Sequence, residues 1–129
     1  MKKVLIVDDD ADVTKIVSKL VERAGYEAVV AKNGVEGMGK VREDRPDLII
    51  LDVLMPKQSG IRMYRELKTE EPFKDIPVIV LSAIAPQSFF RSQQVLDEFR
   101  GQSVPEPEAY IEKPEEPEEL IELMKKILG

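Results

Sequence analysis

The sequence predicts a doubly wound α/β domain whose five-stranded parallel sheet runs in the order 2-1-3-4-5. Three observations carry this expectation. Residues 4–7, 48–51 and 78–81 are apolar runs rich in branched side chains and without alternation, the pattern of strands covered on both faces. Stretches with helical spacing lie between them. Residues 26–31 and 109–112 read as less apolar strands, suited to sheet edges where one side meets water. Alternating β and α units with right-handed crossovers give a parallel sheet with helices on both faces.

The helices follow in order. Val13, Ile16, Val17, Leu20, Val21 and Ala24 fall at i, i+3, i+4, i+7, i+8 and i+11, a single stripe ended by Gly25. The stretches 34–44 and 59–70 carry shorter stripes, Val35, Met38 and Val41 and then Ile61, Tyr64 and Leu67. A fourth helix is expected over 86–100. The last is marked by Leu120, Ile121, Met124, Ile127 and Leu128, with Pro117 placed as a first-turn proline.

Composition narrows the chemistry. A chain of 129 residues suits one compact domain. It has no cysteine and no histidine, so thiolate sites are excluded and the usual general base is missing. Carboxylates, hydroxyls and lysines remain, and carboxylates favour hard cations such as Mg²⁺. A formal charge of −6 argues against nucleic acid as a partner. The apolar run after Lys3 is too short for a signal segment or a membrane span, so a cytoplasmic protein is expected.

In a parallel sheet all strand ends share one rim, and ligands gather there at the topological switch between strands 1 and 3. Strand 1 ends in Asp8-Asp9-Asp10, strand 3 in Asp52, strand 4 in Ser82, and strand 5 in Glu112-Lys113-Pro114. Each has an ordinary role when taken alone. Asp10 or Asp12 suits a helix N-cap, Ser82 a loop hydroxyl, Lys113 a solvated charge, and Asp52 a turn before Met55-Pro56. Together they suggest more. Crowded carboxylates raise one another's proton affinity unless a cation compensates, and Mg²⁺ with oxygen ligands supplies that charge. A lysine and a hydroxyl at the same point add donors for an anion's oxygens. Such a set suits phosphoryl transfer, which depends mainly on positioning and charge neutralisation. Asp52, alone at the tip of a central strand, is the best-placed acceptor.

The strings LIVDDD, LDVLMPKQSG, VIVLSA and AYIEKP occur in this order and resemble the receiver domain of two-component response regulators, over essentially the whole chain. The resemblance implies a flavodoxin-like (αβ)5 receiver fold and a stand-alone receiver domain over 1–129 with no output domain. It makes Asp52 the phosphoacceptor, and assigns Mg²⁺ to Asp8, Asp9, Asp52 and the backbone carbonyl of Leu54. Ser82 would bond the phosphoryl group, Lys113 would neutralise it, and Tyr110 would be the switch aromatic. Gly60 matches the glycine after the phosphorylation loop, Ala83 the small residue beside the switch hydroxyl, and Lys113–Pro114 a bond usually cis in that family. The implied partners are a sensor histidine kinase or a His-phosphotransfer protein. A downstream protein would read the face made by helix 4, strand 5 and helix 5. Phosphorylation is expected to pull Ser82 towards the acyl phosphate and draw Tyr110 inward. The protein would not be an enzyme, beyond catalysing its own phosphotransfer and autodephosphorylation.

Two features depart from the family pattern. The interval from Ser82 to Lys113 is long, with the excess in 85–108, either a lengthened helix packed on the body or an enlarged docking surface. Leu54 and Ile84, two beyond the acceptor and two beyond the switch hydroxyl, are both apolar, which predicts slow hydrolysis of the acyl phosphate. The stretch from 106 to 122 holds eight glutamates and one lysine, either a solvated face or a surface for a basic partner. A haloacid-dehalogenase-like phosphatase is the rival reading, disfavoured because its nucleophile follows the first strand in an Asp-x-Asp pair. An unphosphorylated receiver scaffold is disfavoured because every acidic, hydroxyl and lysine position is filled. No GxGxxG loop is present.

Overall fold

The computed structural model describes residues 1–100, 104–113 and 116–129, and leaves the side chains at 58, 92 and 95–100 outside that description. Five strands alternate with five helices: β1 (Lys3–Val7), α1 (Ala11–Arg23), β2 (Glu27–Ala31), α2 (Gly34–Glu43), β3 (Leu48–Leu51), α3 (Ser59–Thr69), β4 (Val78–Ser82), α4 (Pro86–Arg100), β5 (Ala109–Glu112) and α5 (Pro117–Leu128). A 3₁₀ turn at Pro56–Gln58 leads into α3. All pairings are parallel and the strand order is β2-β1-β3-β4-β5, as the sequence predicts.

The central strands are buried on both faces, so β3 and β4 are buried at every position. Alternate residues of β1 serve opposite layers, because successive side chains point to opposite faces of a sheet. Leu5 and Val7 pack with Met38, Met63 and Leu67 from α2 and α3. Val4 and Ile6 pack with Val17, Leu20, Leu120 and Met124 from α1 and α5. The edge strands β2 and β5 keep exposed or half-buried positions.

Helix ends follow their local chemistry. Asp10 caps α1, its Oδ1 accepting from Asp12 N at 2.9 Å and Val13 N at 3.4 Å. Asn33 caps α2 by accepting from Glu36 N at 2.8 Å, and Pro117 opens α5 as expected. Two stripe residues are corrected by the structure. Ile16 is 54% exposed and Val35 is 84% exposed, because each lies at the margin of its stripe, beyond the reach of the sheet. The buried face of α3 is less apolar than its stripe. Arg65 is buried there and donates to Gln93 Oε1 of α4 at 2.7 Å.

The segment before β5 is held to the body from below. Tyr64 OH donates to Pro105 O, and Lys68 Nζ lies 3.8 Å from Glu108 while donating to Ile76 O at 2.9 Å. Burial holds the Lys68 ammonium below the ordinary lysine value, against the opposing pull of Glu108 and Asp75. Phe89 of α4 is buried edge-on to Tyr64, with ring centroids 5.5 Å apart. The start of α4 is therefore packed on the body. The expected cis bond at Lys113–Pro114 lies outside the described residues, as do the side chains of Val95, Leu96 and Phe99.

Candidate functional site

The sheet ladder itself places the polar residues at its carboxyl rim. Just past the strand ends, Asp8 N donates to Ala31 O at 3.1 Å, Asp52 N to Val7 O at 2.9 Å, and Lys113 N to Ser82 O at 2.8 Å. The backbones of these residues are fixed by the same hydrogen bonds that build the sheet, and only the side chains are free to react.

Those side chains converge. One carboxylate oxygen from each of Asp8, Asp9 and Asp52 lies within 4.8 Å of the others. Asp8 and Asp52 are buried, whereas Asp9 is exposed. Lys113 Nζ sits between the two buried carboxylates, 2.9 Å from Asp8 Oδ2 and 3.3 Å from Asp52 Oδ2. Asp52 Oδ1 accepts from Ser82 Oγ at 2.6 Å and from Leu54 N at 2.9 Å. Asp8 Oδ1 accepts from Asp10 N at 2.9 Å.

The electrostatics follow from this crowding. Burial raises the Asp8 carboxyl above its ordinary value, and the charge of Asp52 adds to the rise. The hydrogen bonds from Lys113 and Asp10 N oppose it without cancelling it. Burial pulls the Lys113 ammonium down, but the hydrogen bond to Asp8 and the charge of Asp52 carry it above the usual lysine value. One cation is thus shared by two buried carboxylates that repel each other. A divalent ion suits this donor set: three carboxylates converge on one rim, one open to solvent, and the Asp8 carboxyl is raised by burial and by the charge of Asp52.

Behind Asp52, α3 begins in close contact with its backbone. A Cβ on Gly60 would lie 2.2 Å from the Asp52 carbonyl oxygen and 2.7 Å from Val53 Cα, so only glycine lets the helix approach the loop this closely. Tyr110 lies on β5 beside Phe89, with centroids 5.5 Å apart, and its OH donates to Ile84 O at 2.6 Å. Burial, with the charges of Asp52 and Glu112, pushes the Tyr110 hydroxyl up to about 12.

A response regulator receiver domain family model matches residues 4–125. The chain belongs to the response regulator receiver family. It is 37% identical over 128 residues to the polar-differentiation response regulator DivK of Brucella anthropi, covering 99% of this chain and 97% of that protein. Among solved structures it is similar to the chemotaxis response regulator CheY4 of Vibrio cholerae, at 27% identity and a TM-score of 0.80, with 98% of both chains covered. It is also similar to the response regulator TrrA of Thermotoga maritima in complex with Mg²⁺-BeF, at 29% identity and a TM-score of 0.77, covering 98% of this chain and 99% of that one. The receiver is a signalling domain in two-component transduction rather than an enzyme of the ordinary kind. No helix among the described residues is long and apolar enough to cross a membrane.

The structure brings Asp8, Asp9, Asp52, Ser82 and Lys113 together at one rim, and two hydrogen bonds there were not expected from the sequence. Ser82 already donates to Asp52, and Tyr110 OH already holds the Ile84 carbonyl. Both contacts join residues far apart in the chain, for which spacing gives no signal. The Ser82 hydroxyl is therefore engaged and the Tyr110 ring half-buried.

Proposed function

We propose that this receiver accepts a phosphoryl group on Asp52 from a histidine kinase or His-phosphotransfer protein, and passes the signal on by altering a protein-binding face. The observation that carries the proposal is the shared cation: Lys113 Nζ within reach of both Asp8 and Asp52, with Ser82 Oγ on the opposite oxygen of Asp52. In the transfer, a carboxylate oxygen of Asp52 forms the new O–P bond as the donor's P–N bond breaks, and the departing imidazole retains the electron pair and takes up a proton. Asp8, Asp9, Asp52 and the Leu54 carbonyl would hold Mg²⁺, which when bound supplies positive charge against the developing charge on the phosphoryl oxygens. Lys113 then moves its hydrogen bond from a carboxylate to a phosphoryl oxygen, and Ser82 does the same. Such charge-assisted bonds exist only in the phosphorylated state, so they bias an equilibrium between two arrangements of the chain.

The arrangement that moves is the one tied to Ser82. Ile84 N donates to Ser82 Oγ at 3.4 Å, and Ile84 O accepts from Tyr110. A shift of the hydroxyl therefore pulls on a loop that Tyr110 holds from β5, and the change reaches α4 and β5 together. Beryllofluoride, a phosphoryl mimic, tests this. With Mg²⁺ it is expected to shift amide resonances across 82–113, and shifts confined to the Asp52 loop would contradict the switch.

Leu54 is 57% exposed beside the acceptor, and Ile84 is partly buried against the α2–α3–α4 core. Neither side chain can orient a hydrolytic water. Autodephosphorylation is expected to be roughly tenfold slower than in a Leu54→Asn, Ile84→Glu double variant, about 1.4 kcal/mol in the barrier. Phosphate release under single-turnover conditions measures it, and an equal or faster wild-type rate would contradict it.

A further inference from the structure

A second concave feature adjoins the carboxylate cluster, and the chemistry at Asp52 leaves it unused. A cavity of about 890 Å³ lies between the N-terminal ends of α2 and α3, with Asp9 on its wall. Its floor is apolar, from Met38 and Met63. The two helices close beneath it, since a Cβ on Gly34 would lie 2.2 Å from the Ser59 carbonyl oxygen.

Its rim is cationic. Lys32, Lys57 and Arg62 line the cavity and are exposed, and among the described residues their side chains form no ion pair or hydrogen bond. Arg42 is already engaged, 2.7 Å from Glu66 and 3.0 Å from Glu70. Among the described residues, Asp9 and Glu36 are the lining carboxylates without an ion pair, against three such cations. In a chain of net charge −6 this is a local reversal of sign.

Two further observations point to a ligand. Lys57 is held at φ 59 and ψ 22, the left-handed region, at a cost of about 1 kcal/mol that glycine would avoid. Such strain gathers at functional positions. Ser59 Oγ, on the same wall, is buried without a partner. Val35 adds an apolar contact, 84% exposed at the edge of the cavity. No aromatic ring is among the described residues that line the space, so they offer nothing on which a nucleobase could stack.

We infer that this groove docks a carboxylate-rich, partly apolar segment of the protein that delivers the phosphoryl group. The inference rests on Asp52 as acceptor, because the shared wall at Asp9 sets any occupant beside that residue. The cations offset the repulsion that an anionic donor meets from the carboxylate cluster, and charge complementarity of this kind acts chiefly on encounter and orientation.

The test uses a short fluorescent peptide of glutamate pairs separated by leucines, and a counterpart with lysines in place of the glutamates. The acidic peptide should bind the wild type and weaken as salt rises. A Lys32→Glu, Lys57→Gly, Arg62→Glu variant should lose affinity by about tenfold, the effect of three exposed charge pairs. Uptake of phosphate from phosphoramidate by that variant should stay at the wild-type level, showing the fold and acceptor intact. Arg62→Glu alone, on the solvent side of α3, keeps the test open if the triple variant misfolds, and should weaken binding about twofold. Equal binding by wild type and both variants, or equal affinity for the lysine peptide, would overturn the inference. So would salt-sensitive self-association without peptide binding, which would give the groove to the acidic stretch of a second copy. Peptide binding is read without phosphate, so loss of labelling in the wild type would strike the acceptor assignment instead.

Discussion

Asp52→Asn takes up no phosphoryl group from phosphoramidate, and the wild type takes up none once a chelator has removed Mg²⁺: these are the largest effects expected. Asparagine keeps the shape of aspartate and can still accept from Ser82 Oγ and Leu54 N through its carbonyl oxygen, the bonds now 2.6 Å and 2.9 Å long. It lacks a carboxylate oxygen with an electron pair free to attack phosphorus, so the loss is of chemistry and not of position. The substitution also removes one of two mutually repelling buried carboxylates. Asp8, whose proton affinity is raised partly by Asp52, should become easier to ionise. Stability should therefore change by no more than about 1 kcal/mol, which separates lost labelling from unfolding. Urea unfolding of both chains in chelator gives that comparison.

Lys113→Met is the second. Methionine has a similar length and no charge, so the change removes donors without opening a large void. Labelling is expected to slow by about a hundredfold to a thousandfold, roughly 2.7–4 kcal/mol, the cost of deleting one preorganised donor to a developing anion. The unmodified chain should suffer too. Asp8 and Asp52 are 4% and 5% exposed, and Lys113 is the cation bonded to both. Its removal leaves two buried carboxylates without compensation. With the lysine side chain 18% exposed, a loss of about 2 kcal/mol in chelator is expected, between the buried and the surface cases. A variant that labels at the wild-type rate would show that Lys113 serves the unphosphorylated structure alone.

Much of this was legible in the sequence for definite physical reasons. Strands buried on both faces cannot alternate, so β1, β3 and β4 announce themselves as unbroken apolar runs, while β2 and β5 are marked as edges by their weakness. Parallel topology then brings the residues at or just past the ends of these strands to one rim, so Asp8, Asp52, Ser82 and Lys113 can be grouped without coordinates. Helical periodicity is less informative, because it names a face without saying how wide a surface covers it. Ile16 and Val35 fall outside that width. The buried pair of Arg65 and Gln93 joins α3 to α4, and no local spacing encodes it. The cationic groove was invisible for the same reason: its charges come from 32, 57 and 62, and the left-handed conformation of Lys57 has no marker in a residue type that usually avoids it.

Site-localised mass measurement tests the phosphoacceptor assignment most directly. The wild-type chain is treated with phosphoramidate and Mg²⁺, its intact mass is recorded, and its peptides are fragmented under conditions that preserve acyl phosphate. One added phosphoryl group, located on Asp52 and absent when chelator is present, is the expected result. A phosphoryl group on any other residue, or full incorporation without Mg²⁺, would contradict it.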